Sequence, residues 1–318
     1  MVFHRDGEFL RSAIASILAQ TFRDFELLLV DNGSGISAES LGEAGQDPRL
    51  RWVRLARDDG IGVAANAGVA GARGDFIAMM DYDDLALPHR LERQVAALQA
   101  DPQLGLVSAR ADRIDGTGRP IKGDVFTLLA PDEFLAYAQY AAPVIHPVAM
   151  GRRELFAAIP FRPQFRYTSE LDFYARAVER WRLAVLPEVL LHYRWYPKQA
   201  TQQMAGNIEQ SRCVINLLTA RRRAGRPENL ERVDWMTEAI SPADYCRHTA
   251  GQCLAEGFFA PAAYLARRSF ALERSVPSAL AAVRLAARAW RRAPAPERAR
   301  VAAMFMCGPV RALGVRPA

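Results

Sequence analysis

Three carboxylates fall within four residues at Asp81-Tyr82-Asp83-Asp84, directly after the apolar run Phe76-Ile77-Ala78-Met79-Met80. Acids this close repel one another and cost free energy unless a cation neutralises them. An all-oxygen donor set suits Mg²⁺ or Mn²⁺, and a divalent ion held in this way can grip a diphosphate. The plainer alternative is a solvated acidic turn in which Asp84 caps the helix after Pro88. A second polar turn, Val30-Asp31-Asn32-Gly33-Ser34, closes the run Phe25 to Val30. Its Asp31 and Asn32 suit the edge of a nucleobase or ribose, and a turn-forming Asp-Asn-Gly is the other reading.

Both turns need strands behind them. Phe25 to Val30, Arg51 to Leu55, Phe76 to Met80 and Leu104 to Ser108 are short apolar runs of strand length. Helical spacing separates them, over Glu8 to Gln20 with Asp6 as a cap, Gly62 to Ala72, and Pro88 to Ala100. This alternation predicts an α/β sheet with helices on both faces and ligands outside the carboxyl ends of the strands. Past Ile121 the pattern predicts helices near Pro131 to Tyr140, Arg152 to Ile159 and Ser169 to Trp181, then a strand over Leu183 to Trp195. From about Ala205 the chain reads as helical, with breaks at Gly225-Arg226-Pro227, Ser241-Pro242, Ser275-Val276-Pro277 and Pro294-Ala295-Pro296. A boundary near residue 200 divides a domain over 1–200 from a helical region over 201–318. Segments around Gly251 to Leu272 and Ala279 to Trp290 are expected to form an antiparallel helix pair.

A chain of 318 residues that is 50% hydrophobic has the material for a sizeable core. Its net charge of +6 is uneven, because residues 221 to 318 hold 17 arginines against 8 acids, net +9. Such a region suits anionic lipid headgroups or a phosphorylated partner, and a solvated basic surface is the commoner explanation. No aromatic strand motif or basic recognition helix accompanies the charge, so no nucleic-acid partner is expected. Cys213, Cys246, Cys253 and Cys307 have no metal-ligand spacing and read as buried thiols in a reducing compartment. With no apolar run of membrane-spanning length and with His4, Arg5, Asp6 and Glu8 at the start, a cytoplasmic protein is expected, with peripheral contact at the inner face of the membrane through the basic region.

The order of the motifs adds to this. Gln20-Thr21-Phe22, Asp24 to Ser34, Asn66-Ala67-Gly68, Arg73-Gly74-Asp75-Phe76-Ile77 and Asp81-Tyr82-Asp83-Asp84 together resemble the family-2 glycosyltransferases of GT-A fold over residues 1 to about 200. The resemblance implies a GT-A, mostly parallel sheet with helices on both faces, followed by the α-helical C-terminal region. It implies transfer, with inversion, of a sugar from a nucleotide-diphosphate donor to a hydroxyl of a glycan, polysaccharide or lipid-linked saccharide, assisted by Mg²⁺ or Mn²⁺. Asp81 and Asp83 match the family's D-x-D motif as metal and donor ligands, and Asp31 and Asn32 match its nucleoside-contacting pair. Asn66 lies in a donor-binding stretch. Ser169 to Arg176 resembles the family's E-D-x-D-x-x-x-R helix, which puts Glu170 at the catalytic base position with Asp172 beside it. The same acids also suit a capping box with Thr168 or Ser169. Tyr193, Arg194 and Trp195 resemble the flap that closes the family's site, where they contact acceptor or diphosphate, and His146 falls in a region near the acceptor.

Two departures stand out. The family's chain opens with a Val-Ser-Val-Val-x-Pro strand, and Met1-Val2-Phe3-His4 aligns with the end of it, so an upstream segment of that type is an expectation. Ala65 stands where the family often has Arg, removing a phosphate contact. Gly60-Ile61-Gly62-Val63-Ala64-Ala65 also fits a dinucleotide fingerprint with Asp81 about 20 residues on, so an NAD-dependent enzyme is an alternative. Asp58 and Asp59 beside it would repel a pyrophosphate. A third reading is a catalytically inactive glycosyltransferase-like partner protein, favoured by the short N-terminus and opposed by the intact acids.

Overall fold

The computed structural model describes residues 1–5, 8–122, 129, 133–233, 235 and 240–312, and the chain folds into two compact units. The first comprises Met1–Pro131 with Ala142–Gln199, and the second Asp132–Ala141 with Ala200–Ala318. The expected Asp6 cap lies outside the described residues.

In the first unit β1 (Val2–Phe3) leads to α1 (Glu8–Leu18), which buries Leu10, Ala13, Ile14 and Ile17 along one face, as their spacing requires. Next come β2 (Leu27–Asn32), β3 (Leu50–Leu55), α2 (Ile61–Gly71), β4 (Phe76–Ala78), β5 (Leu85–Ala86), α3 (Arg90–Ala100) and β6 (Leu104–Ile114). The strands form two sheets. One is parallel, in the order β1-β2-β3. The other has the order β4-β7-β6-β8-β5, with β7 (Met150–Arg152) and β8 (Arg182–Arg194) supplied from further along the chain. It is mixed: β6 and β8 are parallel, whereas β7 runs antiparallel to β4 and β6, and β5 antiparallel to β8.

The two sheets replace the single sheet that the alternation predicts, for a visible reason. Val2 pairs with Val30 on one side and bridges to Asp81 on the other, but β1 is only two residues long. Behind it β2 and β4 flank a cavity of about 360 Å³ lined by Leu28, Val30, Phe76, Ile77 and Met79 among others. Strand β6 runs six residues beyond its expected end, because Ala109 and Ala111 keep facing the core while Arg110 and Asp112 alternate away from it, and it closes on the buried Ile114.

Residues 132–141 form an excursion that leaves the first unit and carries α4 (Phe134–Tyr137). The chain then returns through β7, α5 (Arg153–Ala158), α6 (Ser169–Ala177) and β8. The second unit continues with α7 (Ala200–Gln203), α8 (Ala205–Arg223), α9 (Pro242–Ala255), α10 (Phe259–Leu272), α11 (Val276–Arg292) and α12 (Ala295–Ala312). Within it the Asn216 amide donates to the Gln139 carbonyl at 3.0 Å, and Tyr264 Oη to the Tyr140 carbonyl at 3.3 Å. The segment Gly251 to Leu272 is two helices rather than one: Gly257, at φ +83°, ends α9, a backbone conformation that side chains with a Cβ rarely adopt. Helix α10 supplies most of the packing on α11, and α9 also touches it. Cys213, Cys246 and Cys253 are buried as expected, but Cys307 is exposed. The Sγ atoms of Cys213 and Cys246 lie 3.0 Å apart beside Glu209, whose carboxylate takes two 2.7 Å bonds from Arg268. Among the described residues no helix is long and apolar enough to cross a membrane.

Candidate active site

The apolar run that forms β4 ends at the acidic turn, where ligand oxygens of Asp81, Asp83 and Asp84 all lie within 4.8 Å of one another. Asp83 and Asp84 are buried, and Asp81 is partly so. Burial, with the Asp83 charge next, pushes the Asp81 carboxyl up to about 7. Burial also raises Asp83, against the pull of Tyr196 and Arg194, and raises Asp84 well above the ordinary carboxylate range with help from its two acidic neighbours. Asp84 Oδ2 is buried without a hydrogen-bond partner. Asp84 does not cap α3: its Oδ1 accepts the Arg194 backbone N–H at 2.8 Å, and His89 occupies the cap position. An orphaned buried oxygen among three hard oxygen donors fits a divalent cation.

The turn is held from two sides. At the end of β8 the buried Arg194 donates through Nε to the Asp83 carbonyl at 2.7 Å and through Nη1 to the Asp115 and Gly116 carbonyls at 3.2 Å, and its guanidinium lies over the Phe9 ring. Tyr196 Oη donates to Asp83 Oδ2 at 2.9 Å, and burial followed by the Asp83 charge raises the phenol. From α3, the fully buried Arg90 donates to the Met79 carbonyl at 2.5 Å and to Gln94 Oε1 at 3.1 Å. Burial lowers its guanidinium to about 10 against the opposing charges of Asp84 and Asp81. Tyr193 Oη accepts from Gln199 at 3.0 Å, while Trp195 is exposed under the Arg113 guanidinium. Arg194 is thus engaged with backbone carbonyls rather than open to a ligand.

Glu170 sits half-buried in the first turn of α6. The Thr168 side chain makes no capping bond there, so a capping box built on Thr168 does not form. The charges of Glu170 and Asp81 both reach Tyr174, after burial the largest causes of its strongly raised phenol. Tyr174 Oη lies 2.9 Å from His146 Nδ1. Burial, aided by Arg90, lowers the His146 imidazole to about 4, so the ring is neutral. A protonated phenol and a neutral imidazole share one hydrogen bond here, whose direction follows the ring tautomer. The structure therefore gathers Asp81, His146, Tyr174 and Glu170 in one neighbourhood. Asp172 stands apart, buried between Arg176 at 2.7 Å and Arg162 at 3.3 Å.

The expected nucleoside contacts lie at the carboxyl end of β2, with their polar atoms engaged inside the fold. Asp31 Oδ1 accepts from the Ser34 backbone and hydroxyl at 2.7 and 2.6 Å, and Oδ2 pairs with Arg54 at 3.1 Å. Asn32 Nδ2 donates to Asp58 Oδ1 at 2.8 Å, and its Oδ1 accepts the Asp59 N–H at 3.3 Å. Asn66 clips α2 to residue 161 with both ends of its amide, at 2.8 and 2.9 Å from the Phe161 backbone. Asp58, also paired with Arg166 at 3.2 Å, is half exposed beside them. The same Asp58 removes the dinucleotide alternative, because its carboxylate accepts the Gly60 N–H at 2.9 Å where α2 would have to receive a pyrophosphate.

Sequence reasoning passed over Arg90, Tyr174 and Tyr196, and named Asp58 only as a charge that would repel a pyrophosphate. Only Arg90 left a signal, a charge set one helical step from Gln94 and two from Leu98 on the face that Leu91 and Val95 mark as buried.

Residues 1–159 match the family model described as glycosyl transferase family 2. An uncharacterized glycosyltransferase of Methanocaldococcus jannaschii is 28% identical over 196 residues, covering 60% of this chain and 68% of that protein. The succinoglycan biosynthesis protein ExoO of Rhizobium meliloti is 42% identical over 88 residues, 28% of this chain and 25% of its own. The O-antigen biosynthesis protein RfbC of Myxococcus xanthus is 34% identical over 113 residues, and the chain spans only 9% of its length. Among solved structures, S. aureus TarS 1–349 in complex with UDP-GlcNAc matches with a TM-score of 0.57 at 14% identity, over 99% of this chain and 89% of that one, a likeness of fold.

Proposed function

The chain belongs to glycosyl transferase family 2 and is a glycosyltransferase, and on that premise we propose a nucleotide-diphosphate sugar as donor and a saccharide or lipid-linked saccharide hydroxyl as acceptor. The observation that carries the reading is the acidic turn, three carboxylates with oxygens within 4.8 Å of one another, of which Asp84 leaves its Oδ2 orphaned, beside a Tyr174 that the charges of Asp81 and Glu170 both reach.

Asp81 and Asp83 hold Mg²⁺ or Mn²⁺ in this proposal. Bound there, the ion supplies positive charge that offsets the charge developing on the departing diphosphate. Glu170 takes the proton from the acceptor hydroxyl as its oxygen attacks the anomeric carbon from the face opposite the diphosphate. The new glycosidic bond forms, the bond to the diphosphate breaks with its electron pair leaving on oxygen, and the configuration inverts. Asp172, locked between two arginines, is a positioning residue for α6. His146 and Tyr193 are proposed to orient the acceptor, and Trp195 offers an exposed ring for a sugar face. Asp31, Asn32 and Asn66 shape the donor pocket by holding its loops, and Asp58 is added to their number.

TarS in complex with UDP-GlcNAc makes a uridine diphosphate sugar the first donor to test. ExoO and RfbC point toward polysaccharide acceptors. Peripheral contact with a membrane through the basic C-terminal region belongs to the same proposal. Calorimetry with a panel of nucleotide sugars, in Mn²⁺ and in EDTA, tests it. Metal-dependent binding of one donor is expected, and failure of every donor to bind in Mn²⁺ overturns it.

A further inference from the structure

Helix α11 begins where Ser275 accepts the Ser278 N–H at 3.2 Å, with Pro277 in the first turn. Its small residues Ser278, Ala282, Ala286 and Ala289 are buried and allow close packing on α10. A second apolar stripe does not share that face. Val276, Leu280, Val283 and Trp290 follow one another at helical spacing and are 75%, 52%, 52% and 45% exposed. Exposed apolar residues scattered singly need no explanation, but four in register along four turns of one helix do.

Arginines line one flank of the stripe. Arg284, Arg288 and Arg291 are exposed on the side turned away from the buried face, and Arg292 follows at the end. Between Arg274 and Pro296 the sequence holds five arginines and no acid. A coiled-coil partner would be met by flanking charges of both signs, and this ridge has one. An apolar stripe that takes up acyl chains, with Trp290 on it, and a flanking ridge that takes up negative headgroups match a helix lying in a membrane interface. The Arg298 guanidinium over the Trp290 ring, at 5.2 Å, adds a further positive charge at that end.

We propose that the exposed face of α11 docks on an anionic lipid surface, with Leu280, Val283 and Trp290 entering the interface and Arg284, Arg288 and Arg291 on the headgroups. This rests on the peripheral-contact part of the reading above and is independent of donor chemistry. Long arginine stems let the charges stay at headgroup level while the apolar stripe sinks below it.

The test is sedimentation of the full chain with vesicles of phosphatidylcholine alone and of phosphatidylcholine with phosphatidylglycerol, without donor or acceptor. Binding to the anionic vesicles only is expected, weakening as salt is raised. Replacing Arg284, Arg288 and Arg291 with glutamine lowers partitioning by about a hundredfold, roughly fivefold for each. Leu280→Ser with Val283→Ser also releases the protein while its far-ultraviolet circular dichroism is unchanged. Brominated acyl chains quench tryptophan emission in the wild type, and Trp290→Phe removes that quenching. Absence of binding to anionic vesicles overturns membrane contact altogether. Binding that survives the arginine and serine variants leaves membrane contact standing and overturns its assignment to α11. A dimer in solution that the serine variant dissociates assigns the stripe to self-association instead.

Discussion

Arg194 meets Asp83 through the backbone: its Nε–H donates to the Asp83 carbonyl at 2.7 Å, while the Asp83 carboxylate receives Tyr196 Oη at 2.9 Å. The end of β8 thus fixes the acidic turn without neutralising it. The Arg194 fork is spent on carbonyls, so no bond from it occupies the Asp83 carboxylate.

Asp83→Asn is expected to abolish metal-dependent donor binding. A neutral amide is a poor ligand for a hard cation, and Tyr196 still finds an acceptor oxygen, so the turn keeps its shape. Calorimetry with a nucleotide diphosphate and Mn²⁺ reads the loss, and unchanged affinity would remove the metal role from Asp83.

Glu170→Gln is expected to leave donor binding nearly intact and to slow turnover by roughly 10² to 10⁴, the range for a positioned general base. Single-turnover transfer measures it. A loss under about tenfold would send the search for the base elsewhere, and His146 would come before Asp172, because Asp172 is already held by two arginines.

Thermal stabilisation by Mn²⁺ is expected to be larger at pH 8 than at pH 6. Burial, then the Asp83 charge, raises Asp81 from an ordinary 3.8 to about 7. Its stabilising contribution in the metal-free fold is therefore complete below the unfolded value and is lost as pH rises through about 7. A cation binds the ionised form and relieves what the rise in pH has cost. Melting temperatures with and without Mn²⁺ across that window check the sign, and a shift that does not change with pH would count against Asp81 as a ligand.

Arg194→Met is expected to cost about 3 kcal/mol of stability, because it removes charge-assisted bonds to the carbonyls of Asp83, Asp115 and Gly116 at once. Arg194→Lys recovers only part, since one ammonium lacks the planar fork that reaches all three. Urea denaturation gives the values. A cost below about 1 kcal/mol would mean that the turn holds its shape unaided.

Asn66→Ala is expected to destabilise the fold by about 1–3 kcal/mol through the orphaned backbone N–H and carbonyl of Phe161. Donor affinity should fall only as far as the loop loosens. If affinity collapsed while stability held, Asn66 would have to touch the donor directly.

Local pattern made much of this legible. The apolar run before Asp31, the run before Asp81 and the acids opening α6 lie where periodicity puts them, because a strand or helix face is written in consecutive residues. The partners of those acids are not local. Arg194 and Tyr196 stand 111 and 113 positions from Asp83, and no spacing rule links them. Asp31, Asn32 and Asn66 show the converse. Their positions were legible, but their polar atoms are taken by Ser34, Arg54, Asp58 and Phe161, contacts settled only by how the loops close. The division into two sheets was hidden for a similar reason, since it depends on the two-residue length of β1 rather than on any flanking strand.

The excursion over residues 132–141 bears on the order in which the molecule is made. Gln139 leaves the ribosome 77 residues before Asn216, the residue whose amide meets it. During that interval the rest of the first unit, through Gln199, is synthesised, while Phe134, Tyr137 and Tyr140 wait for the helices that bury them. A chain cut at residue 200 would keep those aromatic side chains and lose their cover for good. No single cut separates the two units, so they are expected to be inherited, expressed and degraded as one.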